Sequence, residues 1–225
     1  MKVKSLLFFL FLSIGAFAQK AIEEKPIIKR RNPSDKLILG LNNDMWLNAP
    51  AGIKPSPFSP GFNLFYMFDV PFGIGNVGLG WGIGWSCVNL HSNGQVNYAV
   101  DSTSSKITTR FVPYPTDYKI NKLVCNYIDV PVELRFRTYT SRFHFAIGMK
   151  AGYMVNSHTK EVDDAGKRKI YRIENLNKFQ YGVTARIGVK RISLTAFYSL
   201  VPLIEKGKGD DKIVPFSIGI ATRPF

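Results

Sequence analysis

The stretch that decides the fold runs Tyr127-Ile128-Asp129-Val130-Pro131-Val132-Glu133-Leu134-Arg135-Phe136-Arg137. Every second side chain is apolar, and most of the side chains between them are charged. Successive side chains of a β-strand point to opposite faces, so this alternation predicts a strand with one apolar face and one charged face. Burying the charged face in a water-free core would be prohibitive unless every charge were paired. The stretch is therefore typical of a barrel wall with a polar interior and an apolar outer surface.

The same alternation occurs in three more segments. Arg142 to Asn156 and Phe179 to Lys190 each place aromatic and aliphatic residues on one face and polar or small residues on the other. In Val77 to Ser86 the second face is a run of glycines at every other position. Glycine in a strand leaves room for its neighbours, so this stripe predicts an interior that side chains of other strands fill.

Four further segments complete a set of eight strands, which are Lys36 to Leu47, Gly61 to Val70, Ile192 to Leu200 and Lys212 to Arg223. Long connections follow the first, third, fifth and seventh strands, and short ones follow the second, fourth and sixth. A water-soluble barrel would reverse the two faces and would have to hold the bulkier apolar side chains inside. The lengths of the connections instead favour an all-β fold, an eight-stranded antiparallel up-and-down transmembrane β-barrel with short periplasmic turns, long extracellular loops and both termini in the periplasm.

The N-terminus carries an export signal. Lys2 and Lys4 precede an apolar run from Leu6 to Ile14 and small residues up to Ala18, which is the pattern of a signal peptide. The apolar run is too short to cross a bilayer as a helix. We therefore expect a signal peptide (1–18), a basic periplasmic N-terminal arm (19–35) that either docks on a partner or stays disordered, and the outer-membrane β-barrel (36–225).

Basic side chains outnumber acidic ones by 30 to 16 and give the chain a formal net charge of +14. In an exported protein this excess indicates anionic lipid headgroups or acidic glycans before nucleic acid, although it serves solubility equally well. We expect the partners to be outer-membrane lipid and other outer-membrane or periplasmic proteins, and we expect no nucleic acid.

Three stretches resemble a known family, the PorT-like outer-membrane β-barrels of Bacteroidota. Asn126 to Arg137 is similar to the strand that reads YLEIPLLLKYRF in that family. Phe145 to Tyr153 resembles its glycine-bearing fifth strand, and Leu194 to Leu200 resembles its ldlrYslGL segment. The likeness covers about Leu37 to Phe225, and it implies the barrel fold and the bacterial outer membrane.

The chain departs from the family pattern at three places. Asp129 replaces the usual glutamate, the insertion between strands three and four is unusually long, and Pro224 precedes the terminal Phe225. The terminal aromatic residue is what barrel-insertion machinery reads in such proteins, so the proline alters that signal. Members of the family include an accessory protein of secretion and many barrels of unknown role.

The charged faces of the strands meet inside the predicted barrel. Eight strands enclose only enough room for side chains or one small ligand, so an ion-paired, plugged interior is favoured over an open pore. We interpret the cluster as structural pairing rather than as a proton or anion site. Its predicted members are Asp44, Asp69, Asp129, Glu133, Arg135, Arg137, Arg142, His144, Lys150 and Arg186.

No catalytic or metal site is predicted. Ser157 and His158 lie in a predicted outer loop near acidic residues, but adjacent side chains point apart in an extended chain, and nothing supplies an oxyanion hole. No histidine or cysteine pair has the spacing of metal ligands. The glycine-rich segment from Gly73 to Gly80 lacks the Gly-Lys-Ser/Thr sequence and the helix of a phosphate loop. We expect no cofactor and no enzymatic activity.

The two cysteines, Cys87 and Cys125, fall on strands three and four of the predicted barrel. Exported proteins reside where disulfides form and persist. The alternation places the two cysteines on opposite faces, so a disulfide would need a bulge or a break above the membrane. The sequence therefore leaves open whether the two cysteines form a disulfide or remain free thiols.

The long connection between strands three and four holds the candidate partner surface. It is expected to extend the two strands above the membrane, and exposed aromatic residues there mark a contact surface for proteins or glycans. The aromatic residues are Tyr98, Phe111, Tyr114 and Tyr118.

Three functions fit these features. The first is a non-enzymatic structural or accessory subunit of a larger outer-membrane assembly, of the protein-export or barrel-insertion type. The second is a stand-alone small barrel that binds or passes a small ligand, and the third is surface adhesion through the long loops. The plugged lumen and the lack of catalytic groups favour the accessory subunit.

Overall fold

The computed structural model describes residues 36–72, 76–100, 106–115, 117–138, 143–164 and 166–224. None of these residues belongs to a helix long and apolar enough to cross a membrane. The predicted signal peptide, the periplasmic arm and Phe225 lie outside the described residues. The strands are β1 (Leu37–Leu47), β2 (Pro60–Pro71), β3 (Val77–His91), β4 (Gly94–Val100), β5 (Ile107–Pro113), β6 (Ile120–Arg137), β7 (Phe143–Asp163), β8 (Gly166–Tyr171), β9 (Phe179–Val189), β10 (Ile192–Ser199) and β11 (Val214–Thr222).

Eight of these strands form a closed ring. The order around the ring is β1, β2, β3, β6, β7, β9, β10 and β11, and β11 pairs back to β1. Every neighbouring pair is antiparallel. Closure leaves no free sheet edge in the wall. The prediction of an eight-stranded antiparallel up-and-down barrel is confirmed.

The outer wall of the ring is apolar. On β6, Ile128 and Val130 are exposed, whereas Asp129 between them is fully buried. The same pattern recurs around the ring, and it reaches its extreme at Leu41 and Phe179, which are 69% and 68% exposed. Soluble monomers rarely expose a continuous apolar surface of this extent. The exposed band is the lipid-facing surface of the barrel.

Three ring strands continue beyond this band as a sheet, which we call the extracellular sheet because the sequence predicts the long connections on that side. β3 reaches His91, β6 begins at Ile120, and β7 runs on to Asp163, where β8 pairs with it. The expected extension of strands three and four is present, and β4 and β5 form a separate two-stranded hairpin beside it. The prediction of a loop from Ser157 onward is wrong. β7 stays extended there because β6 and β8 hydrogen-bond to its two edges.

A β-bulge in β7 separates the barrel wall from the extracellular sheet. The pairing of β6 with β7 shifts register at Val155. Val155 and Asn156 are both exposed, although successive residues of a regular strand face opposite sides. One extra residue reverses the phase of the alternation, so Ser157 points inward while His158 and Lys160 point outward.

Glycines on the inner faces of β3 and β7 leave room for large charged neighbours. A Cβ atom at Gly80 would overlap the guanidinium of Arg135, and a Cβ atom at Gly152 would overlap the carboxylate of Asp129. The side chains of β6 therefore lie directly against the backbone of the strands on either side. The expectation that neighbouring side chains fill the glycine stripe is confirmed at Gly80.

Candidate functional site

The middle of the barrel interior is built on Asp129 of β6 and Lys150 of β7. Lys150 Nζ lies 2.9 Å from Asp129 Oδ2 and 3.3 Å from Ser86 Oγ, to which it donates. The Ser86 hydroxyl in turn donates to the Asp129 carboxylate. Lys150 Nζ also lies 4.2 Å from the ring centroid of Phe197. Both charged groups are buried, so each one offsets the large cost of desolvating the other.

A second cluster, nearer the short turns, joins three arginines to two carboxylates. Glu133 accepts hydrogen bonds from Arg135 Nε at 3.1 Å and from Arg186 Nη2 at 2.8 Å. Asp69 lies 3.5 Å from Arg135 Nη1 and accepts a hydrogen bond from Arg137. Because Arg135 contacts both carboxylates, the cluster is continuous across the lumen. Charge-assisted contacts of this kind are the stronger class of hydrogen bond.

His144 lies at the same end of the interior and is held by two contacts. Its Nε2 is 2.8 Å from Ser193 Oγ, and its Nδ1 is 3.0 Å from Nη2 of Arg223. Arg223 also donates to the backbone carbonyl of Lys190, in the tight turn between β9 and β10. The sequence interpretation missed Arg223, although its two-residue spacing from the buried Ala221 places it on the inner face.

One predicted member of the network, Asp44, is held by neutral groups instead of an ion pair. Asp44 accepts hydrogen bonds from Ser217 Oγ at 2.6 Å and from the backbone N–H of Asn89 at 2.9 Å. Its carboxylate makes no salt bridge with a lysine or arginine of the described ranges. Arg142 lies outside the described residues. Asp44 is therefore held by neutral donors near the mouth of the barrel.

A cavity of about 60 Å³ remains among Glu133, Lys150, Arg186 and Phe197. One water molecule takes up about 30 Å³ in the liquid, so the cavity has room for about two. Pockets for drug-sized ligands start at roughly 300 Å³. The described side chains therefore plug the lumen and leave space for water.

An apolar cluster, which we call the loop core, closes the end of the barrel that carries the long connections. The rings of Trp46 and Phe111 meet edge to face with centroids 4.7 Å apart. The cluster combines the ends of ring strands with side chains from the long connections and from the β4–β5 hairpin. Its members are Trp46, Ile53, Val88, Leu90, Phe111, Leu123, Cys125, Tyr127, Met154, Ile173, Leu176, Leu203, Ile204 and Ile213.

The loop core corrects the prediction of an aromatic partner surface. Phe111 is 5% exposed and belongs to the loop core, because β5 packs against the barrel mouth. Tyr98 and Tyr118 are exposed. Tyr114 is half-buried and donates a hydrogen bond to Asp163 Oδ2 at 2.8 Å. Of the predicted four, Phe111 is therefore buried, Tyr98 and Tyr118 are exposed, and Tyr114 is partly exposed.

Cys87 and Cys125 are free thiols in the structure. The register pairs Cys87 with Asn126 and Cys125 with Val88, so the two cysteines are diagonal neighbours on adjacent strands. Cys125 points into the loop core. Cys87 shares the outward phase of Trp85, as the alternation predicted, and the two thiols therefore lie on opposite faces of the sheet.

Ser157 and His158 do not form a catalytic pair. Ser157 is buried on the inner face, and His158 lies on the outer face with its ring centroid 5.4 Å from that of Tyr171. Burial, together with the nearby lysines of the extracellular sheet, lowers the pKa of His158. Within the described ranges, no three His, Cys, Asp or Glu side chains come together as a metal-binding group.

A closed ring of strands with an apolar outer band and a charged, plugged interior defines an integral β-barrel membrane protein. Residues 17–204 match a family model described as the outer membrane protein beta-barrel domain. The chain belongs to this family, and its place is the bacterial outer membrane. The match includes all the ring strands except β11, which completes the ring. No curated protein matches the chain.

Proposed function

We propose that this chain is a non-enzymatic, non-conducting barrel that serves as a structural or accessory subunit of a larger outer-membrane assembly, as in the PorT-like family that its sequence resembles. The observation that carries the proposal is the double closure of the lumen. Ion pairs fill the middle of the barrel, and the loop core closes the mouth. Among the described residues, these two layers occupy the middle and the mouth of the lumen, which supports a barrel that does not conduct.

The surfaces outside the membrane fit a subunit that contacts other proteins. The extracellular sheet and the β4–β5 hairpin are ordered by the loop core and present Tyr98, Tyr118 and the free edge of β8. An exposed strand edge offers unpaired backbone groups to another chain. In this proposal the tight turns and both termini face the periplasm, where the basic N-terminal arm can reach periplasmic partners.

The competing functions have less support. A ligand-handling barrel needs a cavity much larger than about 60 Å³. Adhesion through the aromatic loop residues has less support because Phe111, one of these residues, is buried in the loop core. Protein export and barrel insertion both employ accessory barrels of this kind. The identity of the partner protein would show which of the two processes this chain serves.

Extraction of the native complex tests the proposal. The outer membrane is solubilised in a mild detergent with and without prior cross-linking, and the chain is captured, sized under native conditions and analysed by mass spectrometry. We expect a large complex of defined stoichiometry in both samples. A second barrel from the same extract, known to be monomeric, controls for aggregation. A single barrel in its own micelle, even after cross-linking, would contradict an accessory role.

A further inference from the structure

The outer face of the extracellular sheet carries a row of basic residues that the barrel itself does not use. The register pairs His91 with Lys122, Lys122 with Lys160, and Lys160 with Lys169. Residues directly opposite each other in an antiparallel sheet point to the same face, and neighbouring strands lie about 4.8 Å apart. Four basic side chains thus lie side by side on four adjacent strands, and we call them the basic row.

The basic row faces away from the barrel axis. Lys122 has the same phase along β6 as the lipid-facing residues Ile128 and Val130. On β7 the bulge at Val155 reverses the alternation and so turns Lys160 to the same side. Without the bulge Lys160 would point into the loop core. The row is therefore continuous with the lateral wall that contacts lipid.

Within the described ranges, no carboxylate forms a salt bridge with the basic row. The acidic side chains at this end of β7 contact other groups, because Glu161 is buried on the inner face and binds Arg168 and Asp163 accepts a hydrogen bond from Tyr114. Asp164, which follows the strand, binds Lys119. Burial and the neighbouring lysines lower the pKa of Lys122. Burial has the largest effect on His91 and lowers its pKa, and the charges of Lys122 and Lys160 lower it further. Like charges held this close favour the uptake of an anion.

The row below it ends in an exposed aromatic ring. The register aligns Asn89, Val124, His158 and Tyr171 across the same four strands. Asn89 and Val124 are buried, and Asn89 Oδ1 accepts a hydrogen bond from Lys122 Nζ at 2.9 Å, which fixes the position of this lysine. The Tyr171 ring is exposed next to His158 and lies two residues from Lys169 on β8. An aromatic ring with an imidazole and an ammonium group near it suits the hydroxyl groups and apolar faces of a saccharide.

The height of the basic row indicates the kind of lipid. Lys122 lies six residues beyond Ile128 on β6, the last exposed apolar residue of the band on that strand. At about 3.3 Å per residue and a strand tilt of roughly 40°, this is about 15 Å above Ile128. The polar layer of a simple bilayer leaflet is only about 5–8 Å thick. Lys122 therefore lies above an ordinary phospholipid phosphate and at the height of charged groups on a larger headgroup.

We propose that the basic row, together with His158 and Tyr171 beneath it, binds the phosphorylated saccharide headgroup of a lipid in the outer leaflet. The continuity of the row with the lipid-facing wall favours a lipid over a soluble acidic protein, which would dock from above on the loop tips. The inference does not depend on the accessory role, because it needs only the inserted barrel.

Lipid binding by a triple variant tests this site. The full-length protein is purified in detergent, and its affinity is measured by native mass spectrometry and by microscale thermophoresis for a purified lipopolysaccharide and for the same lipid after enzymatic dephosphorylation. In the test variant Lys122, Lys160 and Lys169 are replaced by glutamine. We expect the affinity for the phosphorylated lipid to fall at least about tenfold, since each surface lysine contributes appreciably to binding anionic headgroups.

The matched control replaces Lys54, Lys206 and Lys212 by glutamine, which removes the same charge from exposed positions outside the row. The control variant should bind like the wild type, and dephosphorylation should abolish the difference between wild type and test variant. Equal losses in both triple variants, no loss in the test variant, or equal affinity for the two forms of the lipid would overturn the proposal. Displacement of the lipid by an acidic peptide at lower concentration would overturn it in favour of a protein partner.

Discussion

Replacing Lys150 by methionine is expected to lower the free energy of unfolding by about 3–5 kcal/mol, the usual cost of leaving a buried charge without its partner. Asp129 is fully buried, and its carboxylate contacts Lys150 Nζ at 2.9 Å. Methionine keeps the length of the side chain but removes the ammonium group. The variant is unfolded with urea in lipid vesicles, and the transition is followed by tryptophan fluorescence.

The double variant Lys150→Met with Asp129→Asn is the control for this prediction. It removes both charges, so most of the lost stability should return, although Ser86 keeps an amide partner instead of a carboxylate. If the free energy of unfolding of the Lys150→Met variant lies within about 1 kcal/mol of the wild-type value, water and not the ion pair stabilises Asp129.

Replacing Phe111 by alanine should destabilise the loop core by about 3–5 kcal/mol, the range for truncating a buried phenylalanine. Phe111 packs on Trp46 at the barrel mouth, whereas the ring strands below are held by their own pairing. The expected result is local opening of the β4–β5 hairpin with an intact barrel. Trypsin should then cleave after Lys106 or Arg110 at least about a hundredfold faster, because cleavage follows the population of the open form.

Tyr98→Ala serves as the matched control, since Tyr98 lies on the same hairpin but is exposed, and its hydroxyl accepts one long hydrogen bond of 3.3 Å from the backbone N–H of Glu174. It should leave the cleavage rate close to that of the wild type. The barrel itself is checked in both variants by its shifted mobility on unheated gels. Equal protection of the Phe111 variant and the wild type would show that the hairpin does not depend on the loop core.

Period-two alternation, together with the alternating lengths of the connections, predicted the barrel. The charged and apolar faces of the segment from Tyr127 to Arg137 are opposed in the structure as they are in the sequence. The outward direction of the apolar face followed from the cost of burying Asp129 and Glu133 without partners. Local chemistry along each strand therefore carried enough information to fix the ring and its polarity.

The partners within the interior could not be predicted in the same way. Alternation puts a residue on the inner face, but the contact between Arg186 and Glu133 depends on strands that are far apart in the chain. Asp44 has the same inward phase, yet its neighbours in the barrel are Ser217 and the backbone of Asn89. These contacts depend on how the strands are staggered in the closed ring. This stagger cannot be read from the sequence of any single strand.

The loop core was missed because its residues from the long connections follow no period. Ile173 and Leu176 occur singly, and Leu203 and Ile204 occur as one adjacent pair, in connections that read as polar loops. Phe111 was taken for a surface residue for the same reason. The bulge at Val155 is also invisible to alternation, since one extra residue in a strand resembles an ordinary strand end.

The double closure of the lumen is the central claim of this account, and electrical recording tests it most directly. The full-length protein, folded into lipid and confirmed by its gel shift, is incorporated into a planar bilayer, and a porin recorded under the same conditions verifies the sensitivity. The account predicts no conductance above that of the bare bilayer. Stable, reproducible conductance steps that depend on the folded protein would contradict it.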